Sequence, residues 1–200
     1  MGTQIFLGKP PASIEQWIKD HHGPVVKETT VVKYTAASRL PDWEGDIIGE
    51  LTSSSIPNRS DIAEVEIGSH VTVIMGEAFI GCSSLASVTI PGSVTDIYEG
   101  AFQGCTSLTS VAIPDSVTNI GIAAFLGCSS LASMTIGNNV AKIRPSVFKG
   151  CSSLASVTIP DSVTSIGYQA FYDCSRLASV TFSGKDKATV QGMSDYSWGL

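Results

Sequence analysis

The chain repeats one 23-residue pattern, which is complete in LASVTIPDSVTSIGYQAFYDCSR, residues 154–176. The same interval of 23 residues separates five cysteines and five phenylalanines, and it also separates sets of leucine, valine and isoleucine. The cysteines are Cys82, Cys105, Cys128, Cys151 and Cys174, and the phenylalanines are Phe79, Phe102, Phe125, Phe148 and Phe171. Self-similarity at a fixed period of this length predicts a solenoid, in which each repeat buries its apolar face against its neighbours.

Each repeat carries the signals of one coil of such a solenoid. Val157 and Ile159 alternate with Ser and Thr, which is typical of a strand with one buried face. Equivalent strands of successive coils are expected to stack into a parallel sheet. Pro160 turns the chain, V-x-x-I starts a second short extended or irregular segment, and the stretch from Ala170 to Leu177 is expected to return as a tight helical turn. Phe and Leu of this return are expected to fill the interior of the coil.

The segment 154–167, followed by Ala170, Phe171 and Cys174, resembles the BspA-like leucine-rich repeats of bacterial surface proteins, some protist surface proteins and phage-associated proteins. The resemblance covers Val65 to about Phe182. It implies a mainly β repeat solenoid of leucine-rich-repeat type, with a parallel β-sheet and short helical or irregular return segments. It also implies an adhesion or binding role at an extracellular or cell surface, or on a virion.

The flanking segments are expected to cap the two open edges of the stacked strands. Subtracting 23 from the repeat positions places Leu51 in an isoleucine column and Ile62 in the leucine column, which predicts a degenerate first coil. The predicted units are an N-terminal cap of one short helix and one strand (1–47), the degenerate coil (48–64), the solenoid (65–182) and a short C-terminal cap (183–200).

Composition excludes several classes of partner. The net charge is −6, with 12 basic and 18 acidic residues, and no basic stripe is present, so we expect no nucleic-acid partner. No apolar run approaches the ~18 residues of a membrane helix, and residues 1–16 lack the features of a signal peptide. Charged residues are only 15% of the chain, and 28 serines and 16 threonines take their place.

The chemistry-bearing residues predict no enzyme. The cysteine column places thiols about 4.8 Å apart, a spacing that permits disulfides but favours a ladder of small buried thiols. One cysteine per coil in a straight column does not surround a metal ion tetrahedrally. The three histidines, His21, His22 and His70, show no spacing typical of a nucleophile and its base. We therefore predict no catalytic residue, no cofactor and no metal.

Comparison of the coils separates positions that the fold dictates from positions that vary. Outward strand positions are uniformly small, mostly Ser and Thr. Five columns vary, and they begin at Val73, Met75, Gly76, Glu77 and Ile80. One interpretation is that these solvent positions drift without constraint; the other is that their large side chains form a binding ribbon. The candidate partner-binding residues are Met75, Ile80, Tyr98, Gln103, Ile122, Leu126, Arg144, Lys149, Tyr168 and Tyr172.

Charge is segregated along these columns. The acidic residues Glu77, Asp96 and Glu99 precede the basic residues, which all fall in one coil as Lys142, Arg144 and Lys149. A partner with the complementary order of charges would be fixed in one position along the solenoid. We predict a non-catalytic module that recognises a protein or glycan through an extended solenoid surface. The alternative is a structural or receptor-binding component of a larger assembly such as a phage tail fibre, and the sequence leaves the oligomeric state open.

Overall fold

The computed structural model describes residues 30–33, 50–51, 60, 62–69 and 71–184, which form a solenoid of short parallel strands. The predicted N-terminal helix, the three histidines and the predicted C-terminal cap lie outside the described residues. The strands are β1 (Thr30–Lys33), β2 (Glu50–Leu51), β3 (Ile62–Glu66), β4 (Val73–Ile74), β5 (Ser87–Thr89), β6 (Asp96–Ile97), β7 (Ser110–Ala112), β8 (Asn119–Ile120), β9 (Ser133–Thr135), β10 (Lys142–Ile143), β11 (Ser156–Ile159), β12 (Ser165–Ile166) and β13 (Ser179–Phe182). We number the coils by their cysteines, from coil 1 with Cys82 to coil 5 with Cys174.

The first side of the solenoid is the predicted parallel sheet. Strands β1, β3, β5, β7 and β9 are neighbours in that order, and β11 pairs with β13. The amide of Ala155 donates to the carbonyl of Ala132 at 3.5 Å, which places β11 next to β9. From β3 onward, partners are 23 residues apart, as in Val65 opposite Val88 and Val157 opposite Val180, whereas β1 pairs with β3 at another offset, with Val32 opposite Val65. The repeat interval therefore sets the register of the sheet.

The second side is a narrower parallel sheet made by the V-x-x-I motif. Strands β2, β4, β6, β8, β10 and β12 lie in sequence order, and each contributes two residues. The isoleucines face the core, with Ile74 opposite Ile97 and Ile143 opposite Ile166. Leu51 lies opposite Ile74. The second segment is therefore extended, which is one of the two forms predicted for it.

The predicted columns fill one continuous core. The Val, Ile, Phe, Leu and Cys columns of coils 1 to 4 are at most 8% exposed. Successive phenylalanine rings stack with centroids 4.9, 5.2, 5.7 and 5.4 Å apart and with nearly parallel planes. At the last coil, Leu177, Val180 and Phe182 are only partly buried. The interior is thus a set of parallel side-chain ladders.

The return segment is irregular rather than helical in the described coils, which is one of the two forms that the resemblance implies. Amides of Glu77, Phe79 and Gly81 donate to carbonyls of Glu99, Ala101 and Gln103 in the next coil, and this ladder competes with helical bonding. The backbone is left-handed twice per coil, for example at Glu77 (φ 59°) and Gly81 (φ 69°). Left-handed residues end a right-handed helix. The return is therefore a third hydrogen-bonded side of the coil.

The many hydroxyl groups also connect the coils. The Oγ1 of Thr118 donates to the carbonyl of Thr95 at 3.4 Å. The hydroxyl of Ser162 donates to the carbonyl of Val140 at 2.8 Å. Ser129, Ser152 and Ser175 each donate to the carbonyl 23 residues earlier. Ser and Thr at these turn positions thus donate hydrogen bonds to carbonyls of the preceding coil.

Candidate functional site

The outer face of the first sheet is plain. In β5, Val88 is buried while Ser87 and Thr89 are exposed, and β7 and β9 show the same alternation. The exposed residues along this strip are serine, threonine and alanine from β5 to β13, whereas β3 of coil 1 exposes Glu64 and Glu66. Small side chains of one kind offer a partner little contact area, and they do not fix its position along the strip.

The variable columns supply the large exposed side chains. Tyr98 is 44% exposed, Ile122 40%, Tyr168 57% and Tyr172 40%, and Arg144 is also exposed. The other five candidates are half-buried: Met75, Ile80, Gln103, Leu126 and Lys149. The structure therefore places all ten candidates at the surface, and it gives the aromatic ones the most accessible area.

These candidates occupy two adjoining surfaces rather than one ribbon. Columns that begin at Val73 and Met75 lie on the outer side of the second sheet, and we call this surface the sheet face. The Arg144 Nε donates to Asn119 Oδ1 at 3.1 Å across its two columns. Columns that begin at Gly76, Glu77 and Ile80 lie on the return, and we call this surface the turn edge. Tyr98 and Arg144 belong to the sheet face, whereas Ile122, Leu126, Lys149, Tyr168 and Tyr172 belong to the turn edge.

At coils 4 and 5 the turn edge holds a connected cluster. Lys149 Nζ lies 4.9 Å from the centroid of the Tyr172 ring and donates to Gln169 Oε1 at 2.9 Å. Gln169 Nε2 in turn donates to the hydroxyl of Tyr168 at 3.2 Å. A cation over an aromatic face and two hydrogen bonds hold both tyrosines in place. Gln169 was not among the sequence candidates, although its variable column was the available signal.

The variable columns are less free than the sequence suggests. A Cβ at Gly121 would collide with the backbone of Tyr98 and Glu99 in the preceding coil, and one at Gly167 would collide with that of Arg144 and Pro145. The column that begins at Glu77 is left-handed in every coil, including the non-glycine residues Ala123, Ser146 and Gln169. Neighbouring coils therefore fix the backbone at these positions, although the side chains there vary.

Both surfaces carry the charge order seen in the sequence. On the sheet face, Asp96 of coil 2 precedes Lys142 and Arg144 of coil 4. On the turn edge, Glu77 and Glu99 of coils 1 and 2 precede Lys149 of coil 4. Coil 3 contributes only uncharged residues to either surface. Each surface is thus acidic at one end, neutral in the middle and basic beyond it.

The cysteines form the predicted thiol ladder. The Sγ of Cys105, Cys128, Cys151 and Cys174 each donates to the carbonyl of the phenylalanine 26 residues earlier, at 3.1 to 3.4 Å. Burial raises the pKa of the Cys128 and Cys151 thiols well above the ordinary value, and it raises the pKa of Cys174 to about 11. Such thiols stay protonated at neutral pH and are poor nucleophiles.

Two further properties concern only the part of the chain that the structure describes. No group of three or more His, Cys, Asp or Glu side chains there is arranged to hold a metal ion. No described helix has the length and apolar character needed to cross a membrane.

Solved structures with the same fold come from bacterial leucine-rich repeat proteins. One from Eubacterium ventriosum is 31% identical over 58% of this chain and 32% of its own, with a TM-score of 0.55. One from T. pallidum is 26% identical over 74% of this chain and 78% of its own, also with a TM-score of 0.55. One from Bacteroides ovatus is 26% identical over 67% of this chain and 41% of its own, with a TM-score of 0.52. The chain thus spans about a third of the Eubacterium protein.

No curated protein gives a significant match to the chain. A family model described as "BspA type Leucine rich repeat region (6 copies)" matches residues 51–187, well over half of the sequence. The 23-residue register, the two parallel sheets and this match agree, and the chain belongs to the BspA-type leucine-rich repeat family.

Proposed function

We propose that this chain is a non-catalytic binding and adhesion module that recognises a protein or glycan through the turn edge of its solenoid. The family supports a binding role, since repeat solenoids present extended surfaces to partners. The buried thiols support the absence of catalysis, because protonated and inaccessible sulfur does not attack a substrate.

One observation carries the choice of surface. Tyr168 and Tyr172 are among the most exposed large side chains of the described residues, and both are fixed by Lys149 and Gln169. Exposed aromatic groups are enriched in binding sites because they bury much area and carry a polar tip. Tyrosines that are already held in place lose less side-chain entropy when a partner binds.

The turn edge also offers several modes of contact in a small area. Ile122 and Leu126 of coil 3 are apolar, the tyrosines of coil 5 offer ring faces and hydroxyls, and Lys149 offers a cation between them. A peptide or an oligosaccharide laid along the solenoid axis meets these groups in order. The Ser and Thr strip of the first sheet offers no comparable sequence of contacts.

We place this activity at an extracellular or cell surface, or on a virion. The support is the family itself, whose BspA-like repeats occur in bacterial surface proteins. The acidic net charge and the low density of charge on the coils suit a surface that recognises through aromatic and polar contacts.

The test is a binding screen of the full chain against matrix proteins, glycan arrays and bacterial surfaces. The matched variant carries Leu126→Ser, Tyr168→Ser and Tyr172→Ser, all on the turn edge, and thermal unfolding checks that it retains its fold. We expect the wild-type chain to bind at least one class of ligand and the folded variant to lose that signal. Equal binding by both proteins, or no binding by the wild type to any class, contradicts the proposal.

A further inference from the structure

We infer that the sheet face binds a second copy of this chain, in a two-fold contact centred on coil 3. The sheet face is distinct from the turn edge to which we assign partner binding. Its two columns read Val73, Asp96, Asn119, Lys142 and Ser165, and Met75, Tyr98, Gly121, Arg144 and Gly167.

The first argument is charge. Asp96 and Lys142 occupy the same column, one coil before and one coil after Asn119, and strands β6, β8 and β10 are hydrogen-bonded neighbours. Within this column, over coils 1 to 5, the charges are therefore antisymmetric about coil 3; Glu50 of β2 precedes Val73 in the column, and Arg144 in the second column has no acidic counterpart. Such a pattern is self-complementary when a second copy runs in the opposite direction, because each acidic end then meets a basic end.

The second argument is geometry. A two-fold axis that lies in the interface, parallel to the strands and over coil 3, reverses the order of the coils and keeps each column opposite its own column. Asp96 then faces Lys142 of the second copy, and Tyr98 faces Arg144. The first is an ion pair and the second a cation above a ring, and symmetry makes each contact twice.

The third argument is shape. At the centre, Asn119 is half-buried and Gly121 is buried, so the one long side chain that reaches the axis is that of Arg144, which binds Asn119. At the ends, the larger Val73 and Met75 of coil 1 face the smaller Ser165 and Gly167 of coil 5. Small residues opposite large ones let two copies of this face approach closely.

The side chains that would make these contacts have hydrogen-bond donors and acceptors beyond those used within the chain. Asp96 accepts one hydrogen bond, at 2.8 Å from the Thr95 hydroxyl, and a carboxylate has about four acceptor sites. Arg144 donates through Nε to Asn119, and a guanidinium has five N–H donors. Lys142, Arg144 and Tyr98 are exposed.

The contact is expected to be weak and salt-dependent. Five coils at about 4.8 Å each make a face about 24 Å long, which belongs with the smaller protein interfaces. Its ion pairs are exposed to solvent and are screened by salt. We therefore expect a reversible dimer at tens to hundreds of micromolar chain, and a dissociation constant that rises several-fold between low and high salt.

The test is sedimentation equilibrium of the full chain with two single variants, Asp96→Lys and Lys142→Asp. Each variant alone places like charges opposite each other at both ends of the contact, so we expect self-association of each to weaken at least tenfold. An equimolar mixture restores both opposite-charge pairs, and we expect it to form a heterodimer at least as tight as the wild-type dimer. Glu64→Lys and Arg176→Glu, which lie away from the sheet face, are the matched controls and should dimerise like the wild type.

A wild-type chain that stays monomeric at roughly 500 micromolar in low salt, where a contact of this affinity is substantially occupied, overturns the inference. So does a dimer or stable trimer that neither variant affects, or a mixture of the two variants that remains monomeric. Loss of ligand binding with dimerisation intact bears only on the turn edge, so the two proposals fail separately.

Discussion

The α-carbon of Gly121 lies against the peptide between Tyr98 and Glu99 of the preceding coil. The contact is with backbone, which has no rotamer to change, so a larger residue at this position has to push two coils apart. Gly92, by contrast, has open space where its Cβ would lie. The two glycines therefore differ in what they permit, although both sit at turns of the same repeat.

We expect Gly121→Ala to lower the free energy of unfolding by about 1–3 kcal/mol, the typical cost of overpacking. Gly92→Ala should leave it unchanged or raise it by about 0.4–1 kcal/mol, because alanine restricts the unfolded chain. Urea titrations of the two variants measure both values. Equal losses in the two variants would show that Gly121 is not constrained by its neighbour.

The buried thiols give the free energy of unfolding a pH dependence. Burial raises the pKa of Cys128 and Cys151, and of Cys174 to about 11, whereas a thiol in the unfolded chain titrates near 8.5. Above that pH the unfolded chain loses protons that the folded chain keeps. The contribution of these thiols to the free energy of unfolding is therefore fully present below about pH 8. The free energy of unfolding then falls as pH rises toward 11, by up to about 1.4 kcal/mol per pH unit for each such thiol.

The measurement is urea unfolding at several values between pH 7 and 10, on the wild type and on Cys151→Ala. The variant is expected to start from a lower stability at pH 7 and then to lose stability less steeply, since one titrating group has gone. Parallel pH profiles for the two proteins would refute the assignment of this slope to the thiol ladder.

Among the elements of the coil, the stacked phenylalanines connect each return to the next. Phe125 lies between Phe102 and Phe148, with centroid distances of 5.2 and 5.7 Å, and is fully buried. Phe125→Ala is expected to cost about 3–5 kcal/mol, and Phe125→Leu distinctly less, because leucine refills part of the cavity. Thermal or urea unfolding measures both. A loss under about 1 kcal/mol for the alanine variant would mean that the stack does not support the coils.

The elements also show what the sequence was able to predict. The 23-residue interval gives each side chain a column, and alternation in a stretch such as residues 156–159 gives the buried face, so the first sheet and the core follow from local patterns. The return does not, because the left-handed backbone at Ala123 or Ser146 is set by hydrogen bonds to another coil. The glycine column of Gly81, Gly104, Gly127 and Gly150 was the one visible sign of that conformation.

The candidate site divides in the same way. Comparison of coils identified Tyr168 and Tyr172 as large groups on a plain surface, because a column that varies within one chain is not fixed by packing alone. The bond from Lys149 to Gln169 joins side chains of different coils and columns, and Gln169 then bonds to its sequence neighbour Tyr168. Spacing along the chain does not predict the orientation of these side chains, which depends on how adjacent coils stack.

At the scale of the whole molecule, the residues that hold the solenoid together are distinct from those to which we assign partner binding. Columns of Val, Ile, Leu, Phe and Cys hold the coils together, and hydroxyls at the turns satisfy carbonyls of the preceding coil. The turn edge is left to vary, within the backbone that its neighbours fix. Repeats of this kind change their partner by changing a few side chains while the core columns stay the same.

The dissociation constant of the ligand found by the screen, measured for two matched double variants, tests most directly whether the turn edge binds the partner. Tyr168→Ser with Tyr172→Ser removes the aromatic groups of the turn edge, and Thr135→Ala with Thr158→Ala alters the exposed strip of the first sheet. We predict that the tyrosine variant binds more than tenfold more weakly, a loss of about 1.4 kcal/mol or more, while the threonine variant stays within about twofold of the wild type. Loss of binding in the threonine variant with full binding in the tyrosine variant would contradict the account and assign recognition to the strand face.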